Sequence, residues 1–192
     1  PPDPAALPPA LARLATAREV ALVGNGSGPL GRGQAAEIEA HDCVTRLNYP
    51  VLDGFAADVG RRTDVMLFNQ AKRAELPQLV QREPGYAALP ALSLAAWAPK
   101  DQPDPPALPA PFAPLVGQVG YRRGTAGFQA ILLIALLLHR PVTLYGFDFF
   151  RAGQPGHYYG PATAALGHEL AYERWFCTTF LPLLHPALRI AA

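Results

Sequence analysis

An apolar segment from Gly127 to His139, hydrophobic on nearly every side, constrains this chain more than any other feature. A helix with no polar face belongs in the middle of a domain. Pro141 predicts where it ends, because proline cannot continue the hydrogen-bond ladder. Val142-Thr143-Leu144-Tyr145 then reads as a buried strand closed by Gly146. Far upstream, Val20-Ala21-Leu22-Val23 is a second short apolar strand, stopped by the turn Gly24-Asn25-Gly26.

Between and around these lie weaker periodic segments. Helices are expected over Leu7–Arg18, Gln34–Ala40, Leu76–Arg82 and Leu170–Leu184. Strands are expected over Asp42–Leu47, ending at Asn48, over Asp64–Phe68, and within Leu89–Ala98. Alternation of this kind predicts an α/β fold, a single Rossmann-like domain whose mostly parallel sheet is flanked by helices. In such sheets ligands sit beyond the carboxyl ends of the strands. The 192 residues suit one domain over residues 1–192. Many of the 22 prolines gather between Lys100 and Pro114, which reads as an extended surface loop at about residues 100–114 and not as a domain boundary.

Composition excludes several classes of function. With a net charge of +1 and 16% charged residues, the chain lacks the basic footprint of a nucleic-acid binder. Half of it is hydrophobic, too much for a disordered protein. Its most apolar run, Ala130–Leu138, falls short of a membrane span, and the first residues do not resemble a signal peptide. The chain starts at Pro1, so an N-terminal anchor could have been trimmed. Cys43 and Cys177 form neither a disulfide framework nor a zinc pair, and no metal site is expected.

Five short motifs could carry chemistry. Gly26, Gly28 and Gly31 match G-x-G-x-x-G after a strand, but the next strand closes on Asn48 instead of the acidic residue that holds a ribose. A dinucleotide site and a purely structural glycine turn both fit. Asn25 and Asn48 end two strands and would place two amide side chains over one crevice, suited to ribose or phosphate oxygens; each could equally cap a turn. Arg123-Gly124-Thr125-Ala126-Gly127 opens the apolar helix, as an anion site or as ordinary capping by Thr125. His157, in Gly156-His157-Tyr158-Tyr159, and His168, in His168-Glu169-Leu170-Ala171-Tyr172-Glu173, are candidate acid–base groups, and each could instead be a structural histidine.

Taken in order, these pieces resemble the eukaryotic-type sialyltransferases, glycosyltransferase family 29. Val20 to Asn25 through His41-Asp42, Arg46-Leu47-Asn48 and Asp58–Thr63 is similar to the large sialylmotif. Gly124–Gly127 through Leu144-Tyr145-Gly146-Phe147 is similar to the small one, His157-Tyr158-Tyr159 to the third, and His168 with Glu173 to the very small motif. The resemblance implies a GT-A-type Rossmann-like enzyme, inverting and metal-independent, which moves sialic acid from CMP-sialic acid to a glycan hydroxyl without a cofactor. It implies His168 as general base and His157 on the leaving phosphate. Donor contacts would come from Asn25, Ser27, Asn48, Thr125, Ala126, Gly127, Phe147, Asp148 and Tyr158.

The chain departs from the family at several points. The disulfide linking the two large motifs has Val20 and His139 at its positions, which fits a bacterial cytoplasm, at the inner-membrane periphery if an anchor precedes the chain. Asp148 stands where the small motif usually has Gly, and Gly146–Phe150 is closer to family-42 sialyltransferases. Ala126 replaces the usual Ser or Thr. CMP-Kdo therefore stays open as the donor. So do a CMP-binding module without transfer activity and an NAD-dependent oxidoreductase.

Overall fold

The computed structural model describes residues 7–48, 50–68, 76–94, 124–150, 156–161 and 168–191. The proline-rich loop expected at 100–114 lies outside them. The chain begins with helix α1 (Pro9–Thr16) and strand β1 (Val20–Val23), then alternates through α2 (Ala35–Ala40), β2 (Cys43–Leu47), α3 (Ala56–Val59), β3 (Val65–Phe68), α4 (Leu76–Arg82) and β4 (Ala91–Ser93). Helix α5 (Ala126–Ile131) and strand β5 (Val142–Tyr145) follow. A two-strand hairpin β6 (Gly156–His157) and β7 (Gly160–Pro161) precedes α6 (Leu170–Trp175), α7 (Leu181–Leu184) and β8 (Leu188–Ile190).

The main sheet has six strands in the order β4-β3-β2-β1-β5-β8, and every adjacent pair is parallel. The mostly parallel α/β sheet expected from the alternation is therefore present. β1 is central: Val23 pairs with Arg46 of β2 on one side and with Tyr145 of β5 on the other. From β1 the chain winds outward to β4, then returns across the sheet to lay down β5 and β8. Between β1 and β5 the winding direction reverses, and a crevice must open at the carboxyl ends of those two strands.

Both faces of the sheet are covered, as a parallel sheet requires. Alternate residues of β1 show this directly. Val20 and Leu22 join Leu11 and Leu14 of α1 and Phe128–Ala135 in the larger core, whereas Ala21 and Val23 pack with Ile38 of α2, Val44 and Tyr145 on the other face. Each such apolar side chain contributes roughly 1.5–3 kcal/mol when fully buried. That sum outweighs the modest helix propensity of the β-branched and aromatic residues in α5.

The apolar segment expected to be one helix starts at Ala126, and its second half, Leu132–Leu137, is wound as a π-helix. Leu138 N–H donates to Leu133 O at 3.0 Å, a step of five residues. Pro141 does not end it. His139 takes a left-handed conformation (φ 51°), and Arg140 N–H turns back to Ile134 O at 3.0 Å, the local closure of a helix C-terminus. Likewise the expected helix Leu170–Leu184 is continuous, but is π-wound over Phe176–Phe180. Sequence periodicity did not signal α3, the 3₁₀ turn Pro84–Ala88, the hairpin or β8. Each has five residues or fewer, too short to develop a period.

The large motif is chiefly architectural. Arg46 is fully buried on β2; its guanidinium donates to Val59 O (2.7 Å), Arg62 O (3.1 Å) and Thr63 Oγ1 (2.9 Å), folding the 59–63 segment onto the strand. Burial pulls its pKa below the usual arginine range. Arg62 in turn donates to the carbonyls of Glu39, His41 and Asp42 and pairs with Asp64 at 2.8 Å. Cys43 and Cys177 are free and buried. Val20 N–H donates to Pro141 O at 2.9 Å, so Val20 and the segment beyond His139 meet at the amino end of β1.

Candidate active site

A cavity of about 410 Å³ opens at the β1/β5 switch point. Of the residues singled out in the sequence, it is lined by Asn25, Asn48, Thr125, Ala126, Gly127, Phe147, Asp148, His157 and His168. These come from six separate parts of the chain, which only the folded sheet brings together.

Its floor exists because three glycines let backbones approach. Gly24 N–H donates to Tyr145 O and Gly26 N–H to Gly146 O, both at 2.8 Å, so the turn after β1 lies on the turn after β5. A Cβ on Gly26 would stand 2.5 Å from Gly146 O and 2.8 Å from Asp148 Oδ2. Gly26→Ala is expected to lower stability by about 2 kcal/mol, read as a fall in the melting temperature; an unchanged value would contradict this packing. Gly127 has no room either: its Cβ would lie 2.9 Å from the Phe147 ring.

The glycine run is not a dinucleotide fingerprint. In that motif the helix starts within the glycine pattern, whereas here the chain turns from Gly24 until α2 begins at Ala35. The amides of Gly31 and Gly33 are occupied by the Asp58 carboxylate, each at 2.9 Å. Those two bonds hold the Asp58 pKa below the ordinary carboxylate range. A Cβ at Gly28 or Gly31 would meet only open space.

The two asparagines sit at adjacent strand ends, as their spacing suggests. Asn25 is 8% exposed; its Nδ2 donates to Leu47 O at 3.3 Å, which ties the end of β1 to the end of β2. Asn48 is left-handed (φ 53°), a conformation asparagine tolerates better than most residues, and its amide donates to Leu67 O at 2.8 Å.

Thr125 caps α5: its Oγ1 accepts from Phe128 N–H at 3.1 Å. The same hydroxyl donates to Glu173 Oε2 at 2.6 Å, and the Thr125 amide donates to Glu173 Oε1 at 2.8 Å. The hydroxyl expected to touch a donor is thus engaged by the protein. Ala126 and Gly127, whose first-turn amides helix geometry leaves without an intrahelical acceptor, line the cavity. Glu173 is 1% exposed and sequence reasoning did not place it in the site. Its only signal was its position five residues after His168 in the very small motif. Burial pushes up the Cys177 thiol pKa, and the negative charge of Glu173 raises it further.

His157 and His168 both reach the cavity. His157 Nδ1 lies 2.9 Å from Gly156 O, and since a carbonyl only accepts, Nδ1 is the donor in that contact. His168 precedes α6 by two residues.

Two predicted contacts lie elsewhere. Tyr158 is 4% exposed, and its ring joins Leu52, Val59, Met66, Phe68 and Tyr86 in a separate core, edge-on to Phe55. Burial raises its phenol pKa. Its backbone, not its side chain, serves the site, through Tyr158 N–H to Asn25 O at 2.8 Å. Ser27 does not line the cavity; its amide is drawn to Asp148 Oδ2 at 3.2 Å, at the edge of the loop.

The wall also holds two residues not anticipated from sequence, Phe149 and Phe150. Both are left-handed, each with φ 52°. Non-glycine residues in this region cost of order 1–3 kcal/mol apiece and cluster at functional sites. Phe150 N–H donates to Asp148 Oδ1 at 3.0 Å, which holds the turn.

The chain has relatives with the same architecture. Residues 4–89 match the family model of glycosyltransferase family 29 (sialyltransferase). A 52-residue stretch is 48% identical to "Sialyltransferase-like protein 2" of Oryza sativa subsp. indica; it is 27% of this chain and 13% of that protein. In three dimensions the chain is similar to a mammalian sialyltransferase solved in complex with Gal-beta-1-3GalNAc-ortho-nitrophenol, with a TM-score of 0.60 at 20% identity, covering 94% of this chain and 72% of that one. A second mammalian sialyltransferase structure gives a TM-score of 0.57 at 20% identity, over 92% of this chain and 69% of that one. Residues 4–89, from before α1 to just past the turn Pro84–Ala88, thus match the glycosyltransferase family 29 model, and the fold is similar to that of mammalian sialyltransferases.

Proposed function

We propose that the chain transfers sialic acid from CMP-sialic acid to a glycan hydroxyl, with inversion and without a metal ion. The observation that carries this reading is the convergence of two histidines, His157 and His168, on the switch-point cavity together with Asn25, Asn48 and the first amides of α5. The carboxamides of Asn25 and Asn48 supply both donors and acceptors for the nucleoside. The amides of Ala126 and Gly127 meet the phosphate at a helix start. His157 donates its Nε2 proton to the leaving phosphate, which requires the doubly protonated ring because Nδ1 is committed to Gly156 O. His168 takes the acceptor proton as the acceptor oxygen attacks the anomeric carbon. The bond from that carbon to the phosphate oxygen breaks, and CMP departs with the electron pair. Charge on the leaving group is met by pre-placed donors in a partly closed cavity. The free thiols of Cys43 and Cys177 and the Val20–His139 pair fit a reducing compartment such as a bacterial cytoplasm.

A thermal-shift panel with CMP, UMP and NAD tests the donor, and CMP release from CMP-sialic acid tests the transfer. Galβ1-3GalNAc, the disaccharide bound by the mammalian relative, belongs in the acceptor panel. CMP at a hundredfold excess over its Kd should stabilise the fold by about 2.7 kcal/mol. Stabilisation without turnover would make this a binding module. Turnover of CMP-Kdo alone would change the sugar, and a shift with NAD alone would overturn the reading.

A further inference from the structure

We infer that Phe150 is a stacking platform for the apolar face of a pyranose acceptor. This rests on the donor reading above and adds the acceptor side of the same cavity. The three phenylalanines after β5 divide sharply by what they touch. Phe147 and Phe149 pack against the main core, and the Phe147 ring fills the space at Gly24 and Gly127. Among the described residues Phe150 belongs to none of the buried clusters; it is half-buried on the cavity wall, with the His157 ring 6.1 Å away.

Packing among the described residues therefore does not explain why this ring is held where it is. Yet the chain adopts two successive left-handed conformations to hold it there, without a glycine at either position. The Asp148 carboxylate fixes the turn from both sides, accepting from Phe150 N–H through one oxygen and from Ser27 N–H through the other. Strain that neighbouring groups enforce in this way marks a functional surface.

The chemistry of the ligand follows from the ring's setting. A single phenyl face beside an imidazole suits a neutral molecule with one apolar side and one polar side. A hexopyranose is such a molecule: its C–H face lies on the ring, and its hydroxyls point away toward polar groups. The neighbour of Phe150 is His157, the proposed leaving-group residue, so a sugar stacked there would have a hydroxyl within the reacting region. The carboxamides expected to hold the nucleoside come instead from the ends of β1 and β2.

The test compares wild type, Phe150→Ala and Phe150→Trp. Two quantities are read: the CMP dissociation constant by equilibrium dialysis, and CMP release from CMP-sialic acid against increasing methyl β-galactopyranoside. Phe150→Ala should raise the acceptor KM about tenfold while the CMP Kd stays within about twofold, and Phe150→Trp should restore the acceptor KM. An unchanged acceptor KM overturns the platform, as does failure of Phe150→Trp to restore it. A parallel loss of CMP affinity overturns it too, by making the ring a nucleobase contact. So does a wild type that releases CMP with no saturable dependence on the galactoside. If wild type binds no CMP, the donor reading fails first and the platform falls with it.

Discussion

Glu173→Ala is expected to destabilise the folded protein by about 3 kcal/mol, because it removes two charge-assisted hydrogen bonds at once. The Glu173 carboxylate receives both the amide and the hydroxyl of Thr125, at 2.8 and 2.6 Å, from a position 1% exposed to solvent. Thr125 is the cap of the central apolar helix, so the pair joins α6 to the start of α5. Alanine leaves the Thr125 amide without an acceptor and opens a void beside it. Glutamine keeps the volume but has a single acceptor oxygen, and it turns an NH₂ toward a second donor; it should recover less than half of the loss. Urea denaturation of the two variants checks this. A Glu173→Ala midpoint equal to that of wild type would show that the clamp contributes nothing. The acidic residue of the very small motif would on this argument be a positioning residue, placing the α5 amides without touching the substrate.

That role bears on what the sequence could and could not disclose. The central strands, the apolar helix and the parallel alternation were legible because burial on both faces leaves continuous apolar runs, as in Val20–Val23 and Val142–Tyr145. β8 was not, since Leu188-Arg189-Ile190 is three residues long with two of them exposed. The cavity's asparagines and histidines each had an ordinary structural reading as well, and it was the order of the motifs together that singled them out. The resemblance implied a donor contact at Tyr158, but Tyr158 follows β6 in the hairpin turn and its ring is buried with Leu52, Val59 and Met66. Phe150 was not singled out, because its place on the cavity wall shows only in the fold. Sequence alone assigned Arg46 and Arg62 no role; in the fold their guanidinium donors go largely to backbone carbonyls that fold the loop beneath β2.

His168→Ala should abolish transfer, with kcat falling about a thousandfold, the middle of the range for losing a general base. CMP binding should survive, because the groups that would hold the nucleotide come from β1, β2 and the start of α5, whereas His168 enters the cavity from the approach to α6. The separation is physical. Five residues along the chain from His168, Glu173 anchors α6 to Thr125, so the helix remains docked when the imidazole is removed. Melting temperature and CMP-induced shift should therefore match wild type while CMP release from CMP-sialic acid disappears. Loss of the CMP shift together with turnover would instead assign His168 to donor binding. Undiminished turnover would show that the acceptor proton leaves by another route, and would leave His157 as the site's working imidazole.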